Sequence, residues 1–161
     1  MTYFDIHTHR MNPRAIYNTC KSPNEEMMCS VGIHPWFIKD VELQLDVLEE
    51  VLEEGTPLAV GECGLDKVCD TDWGLQVRVF RQQIVLATKY SKPIIVHCVR
   101  AYQECLLELR DFEGCILFHG FNKSKELLVQ LIKRENVFIS FGEKVFDPGF
   151  KSVIEACELS R

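Results

Sequence analysis

The chain has no apolar run approaching the ~20 residues that a membrane-spanning helix needs. It also lacks an apolar leader: Met1-Thr-Tyr-Phe-Asp gives way at once to histidines and charge. Its eight cysteines (20, 29, 63, 69, 98, 105, 115 and 157) contain no C-x-x-C pair, so no thiolate redox or metal motif is in view. Reduced thiols and a cytoplasmic protein with no membrane association are expected, with Cys98, Cys105 and Cys115 acting as small hydrophobes inside strands or helices. There is no P-loop and no G-x-G-x-x-G, and no Ser/His/Asp or Cys/His nucleophile set stands out. Positive charge is also short. Eighteen Lys and Arg face 24 Asp and Glu, for a net charge of −6, which argues against tight, charge-driven binding to nucleic acid. A metal site that neutralises phosphate locally remains compatible with that charge. Repeats, low-complexity segments and interdomain linkers are absent too.

What is present is the composition of a folded domain, 47% apolar and 26% charged over 161 residues. One domain spanning 1–161 is expected. It is short for a full eight-stranded α/β barrel, which typically takes about 250 residues. Strands are predicted at Tyr3–His9, weakly at Ala15–Cys20, at Met27–Ile33, Leu58–Glu62, Ile94–His97, Cys115–His119 and Val137–Phe141, and Lys21–Glu26 reads as loop. Helices are predicted after Asp40 (Val41, Leu45, Leu48 and Leu52 inward, Gly55 as the stop), over Trp73–Tyr90 behind a Thr71 or Asp72 cap, over Ala101–Phe112, Lys123–Arg134 and Phe150–Cys157. The Trp73–Tyr90 stripe is read as Leu75, Val79, Gln82, Leu86 and Tyr90, widened by Phe80, Ile84 and Ala87. Strand and helix alternate from 58 to 141. That rhythm gives an α/β fold with a parallel sheet wrapped by helices, and right-handed crossovers put all strand C-termini on one rim.

The chemistry-bearing residues fall on that rim. Ala59–Asp66 reads AVGECGLD, with Glu62 set beside glycines where the fourth strand is expected to stop, its carboxylate exposed there. Asp5, His7 and His9 share one face of the first strand by alternation, so both imidazoles can reach one ion with Asp5 beneath them. His34 precedes Pro35, which holds it extended at the exit of the third strand. His97 and His119 end apolar strands. Four imidazoles and a carboxylate suit a borderline transition metal better than an all-oxygen cage. Five ligands are too many for one catalytic zinc, which takes three and keeps an open position. They fit two divalent ions, with Glu62 as a bridge and a water between them. Hydrolysis of a phosphoester or amide-like bond is the reaction expected of such a pair.

These residues, in order, resemble a known family. Asp5-x-His7-x-His9, Gly32-Ile33-His34-Pro35, Gly61-Glu62-x-Gly64-Leu65-Asp66, then Gln76, Phe80 and Gln83 on one helix, His97, His119 and Ile139-Ser140-Phe141 are similar to the TatD-type metal-dependent hydrolases, or deoxyribonucleases, of the amidohydrolase-like barrels. The resemblance covers residues 3 to about 146. It implies a TIM-type (β/α) barrel, two divalent metal ions (Zn, Mn, Mg or Fe) and phosphodiester hydrolysis with DNA as substrate class. It assigns His7 and His9 to the first metal, Glu62 to the bridge and the catalytic centre, His97 and His119 to the second metal, and His34 to the substrate phosphate. The sequence departs from the family pattern in three places. His9 to Val31 is too short for the two helices expected around strand two. Val99, with Arg100 beside it, stands where the family usually has Arg. The Glu-Thr-Asp segment of an eighth strand does not occur within the 161 residues. A barrel shortened near strand two and of about seven strands is therefore expected.

Two further readings follow from the same residues. The acidic balance, with only Arg10, Arg14, Lys39, Lys67, Arg100, Lys123 and Lys144 near the rim, would suit a small phosphoester, lactone or amide on the same metal scaffold. An incomplete barrel with unpaired edges would instead suit an inactive binding or assembly protein.

Overall fold

The computed structural model describes residues 5–10, 15–19 and 28–158, with Asp5, Ile6 and Glu158 described in their backbone only. Seven parallel strands form one curled sheet in sequence order: β1 (Asp5–Thr8), β2 (Ala15–Thr19), β3 (Cys29–Val31), β4 (Ala59–Asp66), β5 (Ile94–Val99), β6 (Ile116–Phe118) and β7 (Val137–Ile139). Every neighbouring pair is parallel. Among the described residues β1 and β7 do not pair, so the sheet is a partial barrel. The predicted strand ends at Tyr3 and Phe4, the loop Lys21–Glu26, Cys20 and Met27 lie outside the described residues.

Five helices cover the outer face: α1 (Val41–Glu53), α2 (Trp73–Lys89), α3 (Tyr102–Glu108), α4 (Lys125–Ile132) and α5 (Lys151–Glu158). Asp40 caps α1 by accepting from the Leu43 N–H, Asp72 caps α2 at Leu75, and Ser124 caps α4 at Leu127. α1, α2 and α4 bury their apolar stripes in the core, and α5 packs on α4. Leu48 and Leu52 of α1, Val79, Phe80, Leu86 and Ala87 of α2, and Leu128 and Leu131 of α4 meet Val60, Ile94, Val96, Ile116 and Phe118 from the strands. α2 lies on β4, the strand that carries Glu62. Only six residues separate β1 from β2 and nine separate β2 from β3. This is the shortening expected near strand two.

Four expectations need correction. Strand β4 does not stop at Glu62 but runs on to Asp66, and all eight of its residues are buried. Gly61 and Gly64 have φ of 142° and 146°, values that only glycine adopts readily. They let the strand continue with a register shift between Val60 and Cys63 instead of ending it. Glu62 is accordingly 2% exposed, not an open carboxylate. On α2 the buried glutamines are Gln76 and Gln83, while Gln82 is exposed. The line Gln76–Phe80–Gln83–Ala87 is the centre of the inward face, and Gln82 stands one step off it. Cys115 precedes β6 and is exposed, whereas Cys105 is buried as expected.

Candidate active site

The C-terminal rim gathers all five histidines around Glu62. Its Oε2 lies 2.9 Å from His7 Nε2 and 3.2 Å from His9 Nε2. Its Oε1 lies 2.7 Å from His97 Nδ1, 3.6 Å from His34 Nε2, and against His119 Nε2. The His7 and His119 rings are 4.4 Å apart, centre to centre, and those of His97 and His119 5.9 Å. Each histidine sits where its strand delivers it. His7 and His9 come from the same face of β1 and its exit, and their Nε2 atoms stand 3.3 Å apart. The side chain of Asp5 lies outside the described residues.

The carboxylate is held by its backbone. Asn18 of β2 accepts from the Glu62 N–H at 2.9 Å and from the Ser30 hydroxyl. A side chain on either glycine would disturb this stretch: a Cβ on Gly61 would stand 2.5 Å from the Ile95 carbonyl oxygen, and one on Gly64 would collide with that of His97.

Electrostatics follow from the crowding. Burial alone would raise the Glu62 carboxyl, but the imidazoles of His119, His34, His7 and His97 outweigh it and hold the group far below the usual carboxylate range. Burial would lower His97, but the Glu62 and Asp66 carboxylates hold it above the ordinary imidazole value. Glu62 Oε2 is fully buried and makes no aligned hydrogen bond despite its two imidazole neighbours. Imidazole nitrogens converging on one carboxylate, one of whose oxygens has no aligned hydrogen bond, are what a shared cation would satisfy. Two sets of three donors could hold an ion: His7, His9 and Glu62, and His34, Glu62 and His97.

The tautomer of His34 separates it from the others. Its Nδ1 accepts from the Trp36 N–H at 3.1 Å, so a neutral ring carries its proton on Nε2, the atom facing the cleft. A metal would need a lone pair there. His34 is instead set up as a hydrogen-bond donor.

Several site residues carry no role in the sequence reading. Asp66 accepts from the indole N–H of Trp36 at 2.6 Å and stands 3.2 Å from His97 Nε2, which fixes the His97 ring with Nδ1 toward Glu62. Burial opposes its ionisation, but the Trp36 indole, the Val68 N–H and His97 lower its pKa. Gln83 grips Ile33, the residue before His34, accepting from its N–H at 2.7 Å and donating to its carbonyl at 3.1 Å. Gln76 does the same for Asp66 at 2.8 and 3.1 Å. The visible signal for the two glutamines was their spacing on the inward face of α2. Asp66 was marked by its place in GECGLD. Asn18, in a weak strand, had none.

Together these groups line a cleft of about 710 Å³, walled by His9, Asn18, His34, Trp36, Glu62 and His119 among others. The profile of the TatD related DNase family matches residues 3–161.

The chain belongs to the TatD family.

Among TatD-family relatives, the chain is 27% identical over 133 residues to the uncharacterized metal-dependent hydrolase MJ1582 of Methanocaldococcus jannaschii, covering 81% of this chain and 52% of that protein. It is 32% identical over 108 residues to the human 3'-5' RNA nuclease TATDN2, covering 63% of this chain and 14% of the relative. The crystal structure of YjjV, a TatD homologue from Escherichia coli, superposes with a TM-score of 0.68 at 22% identity, over 78% of this chain and 54% of that one. That likeness concerns the fold: a TatD-type barrel, of which this chain supplies seven strands. The chain spans about half the length of MJ1582 and YjjV.

Proposed function

We propose that this chain is a metal-dependent hydrolase domain, spanning 1–161, that cleaves phosphodiester bonds of nucleic acid as a TatD-type deoxyribonuclease. The observation that carries the reading is Glu62: one buried carboxylate with a nitrogen of every histidine within 3.6 Å of its oxygens and one oxygen left without an aligned hydrogen bond. His7 and His9 would hold one divalent ion with Glu62, and His97 and His119 a second, with Glu62 shared between them. A pair of Zn, Mn, Mg or Fe ions supplies Lewis acidity and acidifies a water. The protein's own groups do the rest. Glu62, kept ionised by its imidazole neighbours, offers both oxygens to the centre. His34, whose Nε2 lies 3.1 Å from His97 Nδ1 at the cleft wall, would donate from that nitrogen to a bound phosphate. Asp66 accepts a hydrogen bond from the outer N–H of His97, which turns Nδ1 toward Glu62, where it would coordinate. The names of the relatives, metal-dependent hydrolase and RNA nuclease, support the same chemistry.

The net charge of −6 favours a second reading on the same centre, a small phosphoester in place of a polymer. Both are tested by dialysing the protein against EDTA, restoring Mn²⁺ or Zn²⁺, and comparing a single-stranded oligodeoxynucleotide with small phosphoesters. Metal-dependent cleavage of the oligonucleotide, lost in Glu62→Gln along with bound metal, supports the nuclease. Turnover of small phosphoesters alone moves the assignment to the second reading. Equal turnover without metal removes both. Cys29, Cys63, Cys69, Cys98, Cys105 and Cys115 are free thiols, which supports a reducing compartment and hence the cytoplasm. Among the described residues no helix is long and apolar enough to cross a membrane.

A further inference from the structure

We infer that the turn Pro35–Lys39 is a stacking platform for an unpaired nucleobase, with Trp36 as the ring that receives it. The inference rests on the phosphodiesterase reading of the site and names what the site holds beside the phosphate.

Trp36 and Phe37 are 58% and 61% exposed, yet both line the cleft that contains Glu62. Exposed large aromatics are ordinarily costly to fix in place, because their rotamers must be ordered. Here the ordering is already done. The Trp36 indole N–H is tied to Asp66 at 2.6 Å, and the Trp36 backbone N–H to His34. The Pro35 carbonyl accepts from the Thr71 hydroxyl at 2.7 Å. Gln44 closes the far side, donating to the Phe37 carbonyl at 3.0 Å and accepting from the Lys39 N–H at 2.8 Å. The indole is therefore anchored by its polar edge while much of its surface stays open. The ring centres of Trp36 and His34 are 5.4 Å apart, and those of Phe37 and His34 5.5 Å. The platform is thus a direct neighbour of the group set up to face phosphate.

Charge decides what kind of ligand this suits. A net charge of −6 gives little general attraction for a phosphate backbone, so affinity for a strand must come from elsewhere. Base stacking on an aromatic ring supplies it without a basic track. The cleft, at about 710 Å³, falls in the size range of small-ligand sites. A base buried in a duplex has no free face, so the platform selects single strands. Lys39 lies on the same rim, where it can meet the adjoining phosphate.

The test compares a short oligodeoxyadenylate with an abasic tetrahydrofuran strand of equal length. Binding is measured by fluorescence anisotropy in EDTA, and KM and kcat are measured with metal restored. Wild type should bind the adenylate strand more tightly than the abasic one. Trp36→Leu should raise Kd and KM for the adenylate strand about 5- to 100-fold and remove the preference over the abasic strand. Trp36→Phe, which keeps a ring but loses the indole N–H, should retain most of the affinity. Equal binding of both strands by wild type overturns the inference, as does parallel weakening of both by Trp36→Leu. Equal loss in the Phe and Leu variants also overturns it, because the effect then belongs to the Asp66 anchor. Base-dependent binding through Trp36 with no cleavage would uphold the platform and remove the hydrolase. Metal-dependent cleavage indifferent to bases would do the reverse.

Discussion

Glu62 Oε1 and His97 Nδ1 stand 2.7 Å apart on adjacent strands. In the metal-free protein this is a buried ion pair, and its two partners shift in opposite directions. The Glu62 carboxyl lies far below its usual range and His97 above its own. A depressed acid contributes stability that is present above its unfolded pKa, about 4.3, and lost as pH falls below it. A raised imidazole contributes stability that is complete below its unfolded pKa, about 6.5, and lost as pH rises through the folded value. Urea midpoints in EDTA should therefore be highest between about pH 4.5 and 6.5 and decline on both sides. A maximum above pH 8 would contradict the pairing.

Asp66 lies behind His97 and should act through it. Asp66→Asn removes the negative charge that fixes the outer His97 proton. Outer partners of this kind are worth about 10- to 100-fold in metal affinity. Isothermal titration with Mn²⁺ or Zn²⁺ should show a loss of that size with the folded far-UV spectrum retained. Unchanged affinity would mean that His97 needs no orienting partner.

Gly64 is paired with His97 across β4 and β5 at a φ of 146°. Alanine there meets backbone strain and the His97 carbonyl together. Gly64→Ala should cost about 3 kcal/mol or more, read as a lowered denaturant midpoint with an unchanged slope. Gly55, with nothing near its missing side chain, is the control and should lose less under the same substitution.

Gln83 satisfies both peptide groups of Ile33 from within the core. Gln83→Leu would leave a buried N–H and carbonyl without partners, at a cost of about 2–4 kcal/mol. It should also loosen His34 and the turn after it. A variant as stable as wild type would show that water replaces the amide.

The parallel order of strands was legible because each apolar run and each capped helix follows local rules. The caps Asp40 and Asp72 needed no tertiary knowledge. The reach of β4 was not legible. Glycines normally read as breaks, and only the neighbouring backbone of Ile95 and His97 shows that these two allow a strand to pass close by. Gln82 and Gln83 are equally placed by periodicity to within one residue, and the packing of α2 on β4 decides between them. Trp36 and Asp66 are thirty positions apart, and nothing local marks them as partners. The histidines were the clearest signal, since five of them at or near predicted strand ends have few reasons to be there other than a common centre, although β5 runs two residues past the predicted end at His97.

Anomalous scattering from crystals soaked in Mn²⁺ or Zn²⁺ tests that centre most directly. Peaks are expected against both oxygens of Glu62, one toward His7 and His9 and one toward His97 and His119, and absent in Glu62→Gln. A map with no peak at Glu62, or with metal held elsewhere on the protein, would contradict the assignment of this cleft as a metal centre.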